Sequence, residues 1–328
     1  MVKILFNLLF GVILILVWLK FVDVKQIVNT ISGLNPKSLI WVFIFLLLSP
    51  IIRAIRLKVF LSEIKKIPLK DLIFLSGVAV MLNFFIPIRA GEIAKGVYLS
   101  SNYGLKFGKS IIWVFLDRFV DFMVVLLMSV ILLVVIPTAL NITFIMIITV
   151  IFIAALGLSY FAIFKIGFAK KLINFLSHLL IFNSIKRYFD SFSHFILDSF
   201  LILRRHPKDL SLMIILTVLA YGADAAIWYF TFVALNAPQD FLKMYLGQLL
   251  SALTYLIPSA PGYVGSAEAS GLLILSGVFS METNLASAMI VLSHILIAIF
   301  VPAFGLISVF SLKVDLGVIL RKALKKGD

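Results

Sequence analysis

Six blocks of apolar residues dominate the chain, each on the scale of the roughly 20 residues that carry a helix across a bilayer. They run over 4–19, 38–61, 110–136, 142–164, 210–235 and 285–312. The first ends without the small-residue cleavage site of a signal peptide and is read as a retained span. Two further apolar stretches break this pattern. The first, Asp71–Leu105, is interrupted by Asn83-Phe-Phe-Ile-Pro87-Ile-Arg89-Ala-Gly91-Glu92. The second, Phe241–Val278, is interrupted by Pro258-Ser-Ala-Pro261-Gly262-Tyr-Val-Gly265-Ser-Ala-Glu268. A helix facing lipid would not tolerate these breaks, because irregular backbone at membrane depth must be satisfied by protein or by a wet cavity. Both stretches therefore predict a pair of short arms that turn back as a re-entrant hairpin.

Charge along the chain tests that layout. With two hairpins and six spans, the loops 53–70 and 165–208 and the tail fall on one side and hold 6, 8 and 5 basic residues. The opposite loops 21–37, 137–141, 236–243 and 280–284 hold 2, 0, 1 and 0. The positive-inside rule then sets both termini in the cytoplasm. Within 165–208, Phe168, Leu172, Phe175, Leu176 and Leu179 recur at helical spacing opposite Lys170, Lys171 and His178, which predicts a cytoplasmic helix lying at the headgroups.

The order span, hairpin, span occurs twice, over 38–136 and 210–312. Each hairpin carries Pro, then Gly, then Glu at its break. Interrupted segments in corresponding halves are the sequence sign of an inverted repeat with its site between them. The expected fold is an all-α polytopic membrane protein forming one membrane-embedded domain, 1–328.

Composition agrees: 62% of residues are hydrophobic and 13% charged, with a mean hydropathy of +1.16. Soluble domains are nearer 45–50% and about 25%. The net charge of +14 is accounted for by loops meeting anionic headgroups, so no nucleic-acid partner is expected. With no cysteine and four scattered histidines, neither a thiol nucleophile nor a metal site is expected. No Gly-rich loop with a lysine suggests a nucleotide, and no cofactor is expected.

The charges inside the apolar blocks carry the candidate chemistry. Helix N-termini at the breaks favour anions, Gly91, Gly262 and Gly265 permit close approach, and Arg89 offers a fork suited to phosphate. Glu92 and Glu268 balance that arginine, receive a cation or carry a proton. Asn83, Pro87, Pro258 and Pro261 shape the turns. Asp117, Arg118, Asp121 and Asp224 complete a polar lining, with Asp121 three residues beyond Arg118 and able to pair with it on one helix face. The alternative is that these charges only pair with one another and pin the hairpins. Arg53 and Arg56, one turn apart, are read either as snorkelling at the membrane edge or as a cytoplasmic headgroup-capture pair. His294 is read as a satisfied interhelical histidine.

Taken together, Asn83…Pro87-Ile-Arg89-Ala-Gly91-Glu92, Asp117-Arg118-Phe-Val-Asp121 and Pro258…Pro261-Gly262…Gly265…Glu268 resemble the flippase-like membrane domain of the lysylphosphatidylglycerol synthase family, over nearly the whole chain. The resemblance implies a lipid translocator, not an enzyme, acting on a phospholipid, glycolipid or polyprenyl-phosphate-type lipid of the cytoplasmic membrane. In the bifunctional members a soluble domain makes the lipid. The sequence ends at Asp328 without one, so a stand-alone member is expected, with a separately encoded lipid-modifying enzyme as a candidate partner. Two alternatives stay open: a membrane-embedded transferase using Asp117, Asp121 or Glu92 on a lipid-linked donor, and a non-transporting lipid-binding subunit. The sequence sets no oligomeric state.

Overall fold

In the computed structural model the apolar blocks form helices, and no strand occurs among the described residues. The structure describes residues 2–62, 65–86, 90–105, 107–178, 207–254 and 260–315, with isolated positions at 186, 187, 189, 190, 193 and 317. The helices are α1 (Val2–Leu19), α2 (Val24–Ser32), α3 (Leu39–Leu61), α4 (Leu69–Phe85), α5 (Ala90–Tyr103) and α6 (Phe107–Val135). They continue as α7 (Ile142–Phe164), α8 (Ile166–His178), α9 (Pro207–Ala234), α10 (Phe241–Thr254), α11 (Ser266–Leu272) and α12 (Thr283–Leu312). A π-helical stretch, Leu273–Val278, extends α11.

Four helices among the described residues are long and apolar enough to cross a membrane, over Pro36–Leu61, Leu116–Val135, Lys208–Ala234 and Thr283–Leu312. These are the four expected to flank the two interrupted stretches. The chain is a multi-pass membrane protein. At about 1.5 Å per residue, α4 and α5, with 17 and 14 residues, are each shorter than the roughly 30 Å hydrocarbon layer.

The two ends of the bundle are fixed by different contacts. At one end the polar loops are stitched together. Asp23 donates its N–H to Asn284 Oδ1 (2.8 Å), Asn284 Nδ2 donates to Gln26 Oε1 (2.7 Å), and Asn236 Nδ2 donates to the Gly33 carbonyl (3.0 Å). Backbone bonds join Asn35 to Ala234 and Ala139 to Val278. All four basic-poor loops therefore meet on one face. At the other end Leu57, Phe60 and Leu61 of α3 form one apolar cluster with Leu72, Leu99, Leu116 and Met213, and with Ile173 of α8 and Leu312 of α12.

This arrangement decides how the interrupted stretches run. α4 starts, and α5 finishes, in the second cluster, where the Tyr103 hydroxyl donates to Asp71. α10 and the 273–278 stretch both belong to the cluster beneath the stitched loops, through Met244, Leu246, Ile274 and Val278. The outer ends of the two arms of each stretch thus share one apolar cluster. Packing in one half is repeated in the other: α3 on α4 matches α9 on α10, α5 on α6 matches α11 on α12, and α4 on α12 matches α10 on α6. α3 and α9 pack on each other at the centre.

Small residues allow these approaches, as expected where apolar lipid supplies no hydrophobic drive between helices. A Cβ at Gly77 of α4 would lie 2.1 Å from Ser308 Oγ of α12, and one at Gly305 would lie 2.4 Å from Met81 Cβ. α2 is absent from the sequence reading. It is a nine-residue helix capped by Asp23, whose side chain accepts from the Gln26 N–H, and it is too short to show an apolar block.

Candidate functional site

Eight charged side chains from four helices meet in one buried network. On α3, Arg56 sends Nε to Asp117 Oδ1 (2.9 Å) and Nη1 to Asp121 Oδ1 (2.6 Å), both on α6. The same Nη1 donates to Thr217 Oγ1 of α9 at 2.7 Å. One turn earlier, Arg53 Nη2 pairs with Asp224 Oδ2 of α9 at 2.6 Å. Ser49 accepts from Arg53 and donates to Asp224 Oδ1 (2.6 Å). Tyr221 joins the two groups: Arg53 lies over its ring at 5.4 Å and its hydroxyl donates to Asp121 at 3.4 Å.

Arg118 links this core to the first interrupted stretch. It reaches Asp117 Oδ2 at 2.9 Å, Asp121 Oδ2 at 3.3 Å and Glu92 Oε1 of α5 at 3.8 Å. Glu92 also pairs with Lys95 one turn on, at 3.3 Å. The formal charges cancel: Arg53, Arg56, Lys95 and Arg118 against Glu92, Asp117, Asp121 and Asp224. Cancellation is what burial demands, because each unpaired ion would cost several kcal/mol. Exposure is uneven. The Arg56 side chain is 1% exposed, whereas that of Arg118 is 32% exposed. Asp117, Arg118 and Asp121 lie in the first third of the apolar stretch Leu116–Val135 of α6.

The first break sits beside this network. Asn83, in the last turn of α4, accepts from the Gly91 N–H at 2.8 Å, tying the end of one arm to the start of the next. Gly91 is also pressed on α4: a Cβ there would lie 2.0 Å from the Ala79 carbonyl oxygen.

The second break is tied differently. Gly262 and Gly265 take φ of +71° and +80°, a region open to glycine at little cost. Glu268 Oε2 accepts from the Gly265 N–H at 2.8 Å and so caps α11. Its other oxygen meets His294 Nδ1 of α12 at 2.5 Å, and His294 Nε2 meets the Gly262 carbonyl at 2.7 Å. The two breaks also touch. Phe84 and Tyr263 stack edge-on with ring centres 6.0 Å apart.

The sequence-derived candidates thus fall into two groups. Glu92, Asp117, Arg118, Asp121 and Asp224 share one network, and Asn83 and Gly91 adjoin it. Pro261, in the short turn Pro261–Tyr263, belongs with Gly262, Gly265 and Glu268 at the second break. Pro87, Arg89 and Pro258 lie outside the described residues. Arg53 and Arg56, read from the sequence as an edge or headgroup-capture pair, have acidic partners within the protein. Arg56 is enclosed by two aspartates, and Arg53 is committed to Asp224. Their sequence neighbours gave no hint, since the partners are 61 to 171 positions away. Lys95, Ser49 and Thr217 were missed. The three-residue spacing of Glu92 and Lys95 was the available signal for Lys95. No group of metal-binding side chains occurs among the described residues.

Compared with known proteins, residues 4–305 match the family described as Lysylphosphatidylglycerol synthase TM region. No individual curated protein matches the chain.

Proposed function

Since the chain belongs to the lysylphosphatidylglycerol synthase transmembrane-region family, we propose that it carries a lipid with an anionic headgroup between the leaflets of the cytoplasmic membrane. The cargo class is a phospholipid, glycolipid or polyprenyl-phosphate-type lipid. One observation carries the reading: a charge-balanced, largely buried network whose Arg118 keeps an open face, next to the break between α4 and α5. A headgroup stripped of water pays many kcal/mol in hydrocarbon unless protein groups replace that water. Arg118 holds three carboxylates at graded distances, the loosest being Glu92 at 3.8 Å. A phosphate can take the place of Glu92 on Arg118 while Lys95 retains the displaced carboxylate, so each of these ions keeps a partner and the site takes on the cargo's negative charge.

The packing correspondence between halves supports an inverted repeat, and the short arms returning to opposite ends support two re-entrant hairpins. In this reading the basic-rich end faces the cytoplasm, with both termini. The first hairpin enters from that side, the second from outside, and their tips meet at Phe84 and Tyr263.

The test is reconstitution in liposomes carrying headgroup-labelled phospholipid, with label accessibility followed from outside. Wild type should expose inner-leaflet label, with and without an imposed ion gradient compared. Arg118→Gln, checked for an unchanged melting profile, should slow exposure at least tenfold. Failure of wild type to move any of a panel of anionic lipids under either condition would overturn the proposal.

A further inference from the structure

The second break holds a proton inventory that its geometry makes countable. His294 presents Nδ1 to Glu268 Oε1 at 2.5 Å and Nε2 to the Gly262 carbonyl at 2.7 Å. A carbonyl oxygen only accepts. A neutral imidazole has one N–H, and an ionised carboxylate has none to give. Both contacts are hydrogen bonds only if the Glu268–His294 pair holds two protons. These sit either as imidazolium and carboxylate or as an Nε2–H imidazole and a carboxylic acid. Both forms are neutral overall, as suits a site at membrane depth.

Removing one proton leaves a net negative pair and forces a choice. The Nε2–H ring keeps Gly262 but sets the Nδ1 lone pair against the carboxylate. The Nδ1–H ring keeps the charge-assisted bond to Glu268, the stronger of the two kinds, and gives up Gly262. The second choice costs less, and it frees the turn. Gly262 is the point where the Pro261–Tyr263 turn is held to α12, and its neighbour Tyr263 is the residue that meets Phe84 of the first break.

We propose that Glu268 and His294 form a proton-binding site that latches the second break to α12 while the pair holds two protons and releases Gly262 when it holds one. Among the described side chains, the neighbouring charges lie away from the pair. From α4, the side chain reaching this turn is Phe84. Lys20 follows the end of α1, which packs on α11 and on the turn, and belongs with Asp23 and Lys25 to the loop end. Lys58, Lys70, Asp71, Lys208 and Asp209 belong to the opposite end, and Arg53, Arg56 and Asp224 to the ion network. Tyr263 is the remaining titratable side chain on the turn itself. The latch deepens the translocation reading by giving one proton per opening as its coupling step, yet it is measurable without transport.

The test uses the full-length protein in lipid nanodiscs. With four histidines in the chain, ring 15N resonances are assignable, His294 by its loss in His294→Gln. Spin labels at Val264→Cys and Ile299→Cys, both exposed in a chain without native cysteine, report the gap between turn and α12. As the pH is raised from about 5 through and beyond the range where histidine ordinarily titrates, His294 should lose its Nε2 proton while a second, longer label distance grows. Glu268→Gln supplies an N–H to Nδ1 and should hold the short distance at every pH. A ring that keeps one protonation state across the window, or that titrates with the distance unchanged, overturns the latch. Titration and opening without lipid movement would keep the latch and remove translocation.

Discussion

Arg56 of α3 and Asp121 of α6 are 65 positions apart in the chain and 2.6 Å apart in the fold. Their contact is one edge of a charge-balanced network whose most buried member is Arg56. Its removal leaves Asp117 and Asp121 in the protein interior with Arg118 as the cation still in contact with both. Arg56→Gln should therefore cost about 3–5 kcal/mol, the range for breaking a buried pair. The check is thermal or denaturant unfolding in detergent. A loss below about 1 kcal/mol would mean that water reaches the pair.

Arg53 and Asp224 provide a milder comparison, since their side chains are 23% and 21% exposed. Arg53→Gln and Asp224→Asn should each destabilise, and the double variant should destabilise by less than their sum. The expected coupling lies within about 0.5–3 kcal/mol for residues in direct contact. Strict additivity would show that the pair is formed without contributing to stability.

Gly91→Ala should disrupt the packing of α5 on α4, because backbone, not a movable side chain, occupies the space its methyl group needs. Gly157→Ala on α7 meets nothing within 4 Å and should be neutral or stabilising by about 0.5–1 kcal/mol, the helix-interior preference for alanine. Comparing the two melting profiles separates close packing from general helix propensity.

Topology can be read with single cysteines and an impermeant maleimide in intact cells. Lys70→Cys and Ser101→Cys, at the two outer ends of α4 and α5, should share one accessibility. Asp240→Cys and Ser280→Cys should share the other. If Lys70 and Ser101 label from opposite sides, α4 and α5 cross the membrane between them and the hairpin reading fails.

Much of the fold was legible because membranes impose a coarse grammar on sequence. Block length marked the four helices long and apolar enough to cross, though not all six blocks expected to do so, and the break at Pro87–Glu92 marked where helices stop: α4 ends at Phe85 and α5 starts at Ala90. The Arg118–Asp121 contact was legible too, being one turn apart on a single helix, and it is found at 3.3 Å. Other features were not legible. Hydropathy says which residues enter the bilayer, not which helices become neighbours, so Arg53 and Arg56 looked like edge residues until α6 and α9 were placed beside them. A serine or threonine such as Ser49 or Thr217 carries no sign of its partner, because either can instead bond its own helix backbone. His294 was read as satisfied, but the carbonyl of Gly262 could not be foreseen, since a backbone acceptor is available at every residue.

The separation of Arg53 from its partner has a consequence for synthesis. Asp224 follows it by 171 residues, which at ~5–20 residues per second is on the order of ten to thirty seconds of translation. Through that interval the nascent chain carries an arginine in its second apolar block with no acid to meet it. Arg56 waits a far shorter time, since Asp117 and Asp121 emerge with the next helices. The first half can thus settle around Arg56 while α3 stays shallow or held by the insertion machinery at Arg53, and arrival of α9 completes its insertion. Mutations at Asp224 should consequently lower the yield of inserted protein as well as the stability of the protein that is inserted.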